Sequence, residues 1–466
     1  MKNNNNYLRT NAKKQAYKNK GITLVALIIT IVVMLILVAV SVNVIVNSDL
    51  IGHAEKIGDA YKNAVAEEEG YNPTFGNGKT LDDYMEATKP LPEGAGKRAD
   101  KTKEYSDGTK TAWIPAGFTV SGISTEQSVD GGLVIYDIPE GRTVNWTNPD
   151  SVKTQYNQFV WIPVEVNKTT EPKDTETSIA SFKRSVWQDN ARVANNAQSS
   201  TSFPSSSYSW SDYTEPYSKD SRDYDGTGTG KTGISAQITE LTQSIYKYGG
   251  FYIGRYEAGS ETERTNSSGV TTLGIKQDMY PYIYVKWGDS MSNIGTTGAV
   301  YLSNSLYTGK KGYGVKSMLC TGAAWDSMLD FVKDSNHSVT DSTTWGNYKN
   351  SETFEITRGS YAVLNTSSYT LGSFNNVESN YSKMKGKSIL LTTGATERNS
   401  SKNIYDVAGN CYEWTTEAYD TSSRVVRGGS YNLTGSSYPA SFRRSSTPTD
   451  SDLSYFSFRP LLYVAL

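Results

Sequence analysis

"NIYDVAGNCYEWT" (residues 403–415) and "RVVRGGSYN" (residues 424–432) are the two stretches whose reading decides the fold. In the first, strand alternation puts Tyr412 and Trp414 on one face, with Cys411 and Glu413 on the other. In the second, Gly428 and Gly429 follow Arg427 and permit backbone conformations that a Cβ forbids. Arg427, and Arg459 within "FSFRPLL" (456–462), sit among apolar neighbours, so both are predicted to be paired, structural guanidinium groups.

Working outward, further pieces arrive in order: "QFVWIPVEV" (158–166), "YGGFYIGRYEAG" (248–259), "YIYVKWGDSMS" (282–292) and "MLCTGAAWDSMLDFV" (318–332). The last predicts a strand end, Thr321 as N-cap, and a helix that buries Trp325, Met328, Leu329 and Val332. Between 71 and 157, "TAWIPAGFTVSG" and "GGLVIYDIPEG" are short β-type runs broken by Gly and Pro, predicting a β-rich spacer. Residues 195–232 are biased toward Ser, Tyr, Asp and Gly and predict a long surface loop.

The chain has 466 residues and a net charge of −2, so no global charge draws it to nucleic acid. Its 33 Tyr and 9 Trp suit a β-rich domain with aromatic contact surfaces. A tetrahedral zinc site would need both cysteines and both histidines together: Cys320, Cys411, His53 and His337. The two cysteines could be bridged or remain thiols; spacing does not decide it. His337 lies in a polar loop without a nucleophile-elbow signature, and no "GxxxxGK" phosphate loop occurs.

At the N-terminus, Ile22 to Val46 is a charge-free run of 25 residues, long enough to span a bilayer. Leu50, Ala54, Ile57, Tyr61 and Val65 continue on one helical stripe, predicting an amphipathic stalk over 48–70. The basic, acid-free leader 1–21 sets the orientation by the positive-inside rule: N-terminus cytoplasmic, the remainder outside. A single-pass cell-membrane protein with an extracellular C-terminal domain is the expectation, with residues 22–47 as the membrane partner.

The ordered pieces from Gln158 onward, above all "GNCYEW" followed by "RGGSY", resemble the formylglycine-generating-enzyme (sulfatase-modifying-factor) family over about 300 residues. The resemblance implies an α+β, C-type-lectin-like head at 158–466. The family's oxidase uses a copper-binding cysteine pair after "RGGS", yet no cysteine follows Cys411, and Leu433 and Tyr438 fall near those positions. Neither side chain replaces a thiolate, so no enzymatic activity is expected. The resemblance also implies a Ca2+ site: the Asp406 side chain, the Gly409 and Cys411 carbonyls, and the Glu413 side chain.

In place of chemistry, the segment 431–457 is rich in Ser and Thr with Tyr431, Asn432, Tyr438, Asp450, Asp452 and Tyr455 interspersed. Tyr with Ser, Asn and Asp is the composition of binding loops, so these six are the expected contacts for an extracellular protein or glycan ligand. The place of this segment, before "FSFR" near the C-terminus, resembles the target proteins of diversity-generating retroelements, which carry a variable stretch there. The leader, "KG" before "ITLVALIITI", resembles a type IV prepilin, which implies cleavage by a prepilin peptidase between Gly21 and Ile22. Ala26 stands where pilins carry Glu. Three roles therefore stay open: an anchored or pilin-like receptor or adhesin, a minor pilin or pseudopilin that joins other pilin-like subunits, and, with least support from the residues, an active oxidase.

Overall fold

The run "QFVWIP" forms a strand because Phe159 to Ile162 are aromatic or β-branched, and its first five residues are buried. Around it the computed structural model builds a six-stranded sheet. It describes residues 92–168, 178–179, 181–193, 233–291, 293–378, 381–419, 422–451 and 453–466. The expected leader, spanning run and stalk (1–70), the surface loop 195–232 and Asp452 lie outside these residues. Among the described residues no helix is long and apolar enough to cross a membrane.

In chain order the strands used below are β1 (Lys103–Ser106), β2 (Thr111–Ile114), β3 (Thr119–Val120), β4 (Val134–Tyr136), β5 (Gln158–Pro163), β6 (Val186–Gln188), β7 (Ala191–Val193) and β8 (Gly250–Gly254). There follow β9 (Val315–Leu319), β10 (Tyr412–Ala418), β11 (Arg424–Arg427), β12 (Arg443–Ser446), β13 (Phe456–Phe458) and β14 (Pro460–Val464). The main helices are α1 (Ile234–Tyr248) and α2 (Gly322–Val332).

The large sheet runs β9-β14-β8-β5-β4-β3, and every neighbouring pair is antiparallel. The last strand of the chain thus lies between strands separated from it by more than a hundred residues. A second sheet runs β12-β11-β10-β13, with β10 and β13 parallel. The fold is α+β, as expected. Thr321 caps α2 by accepting the Ala324 N–H at 3.0 Å, and Trp325, Met328, Leu329 and Val332 are buried beneath it.

The boundary expected between a spacer and a head at 157/158 is not one in the fold. β3 and β4 continue the sheet of β5 and β8, and Pro92–Leu466 is one compact unit. These strands are two and three residues long, so their apolar pattern is too short to reveal which sheet they join. Of the described strands before Gln158, the hairpin of β1 and β2 alone stays outside that sheet, as a two-stranded sheet of its own.

Candidate functional site

All seven residues of β10 are buried, among them two carboxylates. Burying a charge without a partner is costly, and each carboxylate has found arginine. Glu413 takes Arg459 Nε at 2.9 Å and Nη2 at 2.6 Å. Glu417 takes Arg184 at 2.5 Å and is also bonded by Arg443. On α2, Asp326 accepts from Arg427 Nη2 at 2.7 Å. The C-terminal segment is therefore pinned by buried ion pairs just before it, at Arg427, and just after it, at Arg459, as the sequence predicted for both.

Between these pins the chain turns outward. Gly428 and Gly429 have φ of 92° and 75°, and a Cβ on Gly429 would stand 2.2 Å from the Tyr438 carbonyl oxygen. Tyr348 Oη donates to the Gly428 carbonyl at 2.8 Å, and Trp325 Nε1 donates to the Ala440 carbonyl at 3.1 Å. Ser436 and Ser437 emerge exposed, while Tyr438 is half-buried with its ring edge-on to Phe442 at 4.8 Å.

Facing this segment is the hairpin of β6 and β7. Its turn residues Asp189 and Asn190 have φ of 48° and 61°, the two left-handed positions that a tight two-residue hairpin demands. The hairpin is tied to the frame through the same Asp326: Trp187 Nε1 donates to Oδ1 at 3.0 Å and the Ser185 N–H to Oδ2 at 2.8 Å. A groove of about 360 Å³ lies between hairpin and segment, lined by Trp187, Thr340, Tyr419, Ser437, Phe442 and Arg443 among others. Aromatic surface, hydroxyls and a guanidinium together can bind by stacking and hydrogen bonding.

The structure brings only part of the expected contact set to the surface. Tyr431 is fully buried, with its hydroxyl 3.0 Å from Ser454 Oγ, so it supports the segment from beneath and does not face a ligand. Asn432 Oδ1 accepts from Ser430 Oγ at 2.7 Å, and Asp450 Oδ2 accepts from Ser446 Oγ at 2.7 Å and the Thr447 N–H at 3.1 Å. Both brace turns. Tyr455 packs edge-on to Phe456 at 5.2 Å and is half-buried. Asp452 is outside the described residues. Tyr438, through Phe442, borders the groove. Trp187 is not in the expected set, although the turn dipeptide in "WQDNARV" signals its hairpin.

The implied calcium ligands lie around a buried charge cluster. Both Glu413 oxygens are engaged by Arg459, and Asp406 Oδ2 accepts the Gly394 N–H at 2.8 Å. Glu257 sits beside them, hydrogen-bonded by Asn410, and Cys411 neighbours it. Among the described residues no group of three or more His, Cys, Asp or Glu is arranged to hold a metal ion. One of the four implied donors, the Glu413 carboxylate, is thus closed by a guanidinium in this arrangement. Burial pushes the Asp406 carboxyl up to about 7, opposed by the Gly394 N–H and by Arg459. Glu257 is driven well above the carboxylate range by burial, then by Asp406 and Glu413.

Cysteine chemistry has no pair to work with here. Cys320 and Cys411 are both buried, form no disulfide, and belong to different apolar clusters. Burial pushes the Cys411 thiol well above its ordinary value, the reverse of an activated nucleophile. His337 bonds Asp334 at 2.8 Å in the loop after α2.

A family model described as "Sulfatase-modifying factor enzyme 1-like domain" matches residues 153–459. The chain belongs to the sulfatase-modifying-factor family. The match includes β5, α2, both buried arginine pins and the whole C-terminal segment. Among solved structures, Treponema denticola variable protein 1 is similar at 14% identity, covering 46% of this chain and 84% of that one, with a TM-score of 0.25. No curated protein matches the chain.

Proposed function

We propose that this sulfatase-modifying-factor member is a C-type-lectin-like, ligand-binding head of a cell-surface protein, without oxidase activity. The carrying observation is the C-terminal segment itself: anchored by Arg427–Asp326 and Arg459–Glu413, it presents Ser436, Ser437 and Phe442 toward a groove walled by Trp187. A rigid frame with an adaptable polar and aromatic loop is the build of a recognition surface. The absence of any cysteine from 412 onward supports the loss of the family's redox step.

The reading extends to anchorage and diversification. The basic leader and the apolar run 22–47 support a single-pass anchor with the head outside the cell. The position of the loop just before the terminal "FSFR" supports diversification of that segment by a retroelement.

Two experiments test it. The gene neighbourhood should hold a reverse transcriptase and a near-copy of the 3′ coding segment that differs at adenines; absence of both contradicts diversification. Full-length chains displayed on cells, randomised at Ser436, Ser437 and Ser441, should yield binders against a panel of unrelated proteins. A library that stays folded yet yields none contradicts the recognition surface.

A further inference from the structure

A second cavity, of about 330 Å³, lies in the part of the chain before the family match and is lined by residues of 96–146 only. Its floor is β3, against which residues 95–98 are bridged, with Arg98 opposite Thr119. Its wall is the loop Ile138–Val144 together with Trp146. The indole is seated by close packing: a Cβ on Gly122 would stand 2.4 Å from its ring, and one on Gly96 would stand 3.2 Å from Nε1. Tyr136 packs edge-on to it at 5.3 Å.

Two polar atoms at this cavity are buried and unsatisfied: Arg98 Nε and Thr119 Oγ1. Such atoms are normally partnered, and a buried orphan N–H of a guanidinium is the costliest kind. Arg142 adds a second, exposed guanidinium at the rim. No ion pair engages Arg98 or Arg142 among the described residues, and no carboxylate lines the cavity. The acids in or beside the wall loop in sequence are otherwise placed: Asp137 is bonded to Tyr307 and Asn157, and Glu140 is exposed outside the lining.

We propose that this cavity binds a carboxylate carried on a small ring. The two guanidinium groups and the Thr119 hydroxyl would take the carboxylate, since planar bidentate recognition of that group is what arginine does best. Trp146 would take the ring. The volume is at the lower end for ligand pockets, which suits a single ring and not an extended molecule. A uronic acid and an aromatic acid share this chemistry.

The test is calorimetric titration of the full chain with glucuronate and with benzoate, using glucose and acetate as controls that lack the charge or the ring. The expected result is saturable binding of glucuronate or benzoate, at least tenfold tighter than either control. Arg142→Gln, at an exposed position that the fold does not need, should weaken that binding about tenfold. Trp146→Phe should weaken it less than Arg142→Gln. Binding of neither acid, equal binding of acetate, or binding unchanged in Arg142→Gln would overturn the proposal. Because this cavity shares no residue with the Trp187 groove, failure here leaves the C-terminal recognition surface untouched, and the converse holds.

Discussion

Arg459 closes on Glu413 through two hydrogen bonds, Nε to Oε2 at 2.9 Å and Nη2 to Oε1 at 2.6 Å, with both side chains wholly buried. The same guanidinium donates to the Gly254 and Tyr405 carbonyls at 2.9 Å each. One residue of the last "FSFRP" thereby joins β8, the loop before β10 and β10 itself. Removing one partner leaves a buried, uncompensated charge, so Arg459→Ala should cost ~3–5 kcal/mol in a denaturant titration. A loss below about 1 kcal/mol would show that the pair is not a structural pin.

Asp406 makes stability depend on pH. Its folded-state pKa is raised to about 7, so between the ordinary carboxylate value and about 7 the folded chain holds a proton that the unfolded chain has released. Stability from this group is therefore full at low pH and declines as pH rises to about 7; Glu257, shifted the same way, adds to the decline. Asp406→Asn keeps an acceptor for the Gly394 N–H and removes the charge. The melting temperature of that variant should exceed the parent's at pH 8 and match it more closely near pH 5. A variant less stable than the parent at pH 8 would contradict this.

Gly429 holds φ at 75° with the Tyr438 carbonyl where its Cβ would go. Gly429→Ala meets both strain and a backbone clash, and should cost at least ~2 kcal/mol. Gly309, with similar φ and open space around it, is the control: Gly309→Ala should cost only the strain, about 1 kcal/mol. Equal losses would mean that the path of the C-terminal segment is not set by this close approach.

Exposed and buried positions of that segment should respond oppositely to substitution. Ser436→Tyr and Ser437→Arg, at exposed sites, should shift stability by no more than ~0.5 kcal/mol. Tyr431→Ala, which opens a hole beneath the segment, should cost ~3–5 kcal/mol. Comparable losses at all three would mean that the segment is core and not surface.

The parts of the fold legible in the sequence were those with a strong local cause. Thr321 announced a helix start because a hydroxyl three residues before an amide caps it. Arg427 and Arg459 announced pairing because a guanidinium in an apolar run has no other stable state, though Asp326 and Glu413 as partners came only from the fold. Tyr431 misled because composition marks a binding loop without saying which tyrosine turns inward. The Trp187 hairpin is signalled only by its Asp189–Asn190 turn, because its strands have three residues each and its meaning lies in the distant Asp326. Likewise the β3–β4 strands belong to the central sheet through pairings that no local pattern reports.

The most direct test of the central claim is to give the purified full chain copper, oxygen and a cysteine-containing sulfatase-type peptide, and to weigh the peptide by mass spectrometry. With Cys320 and Cys411 buried apart and no cysteine beyond them, the peptide should return unchanged. Conversion of its cysteine to an aldehyde would contradict the recognition reading and make this head an enzyme.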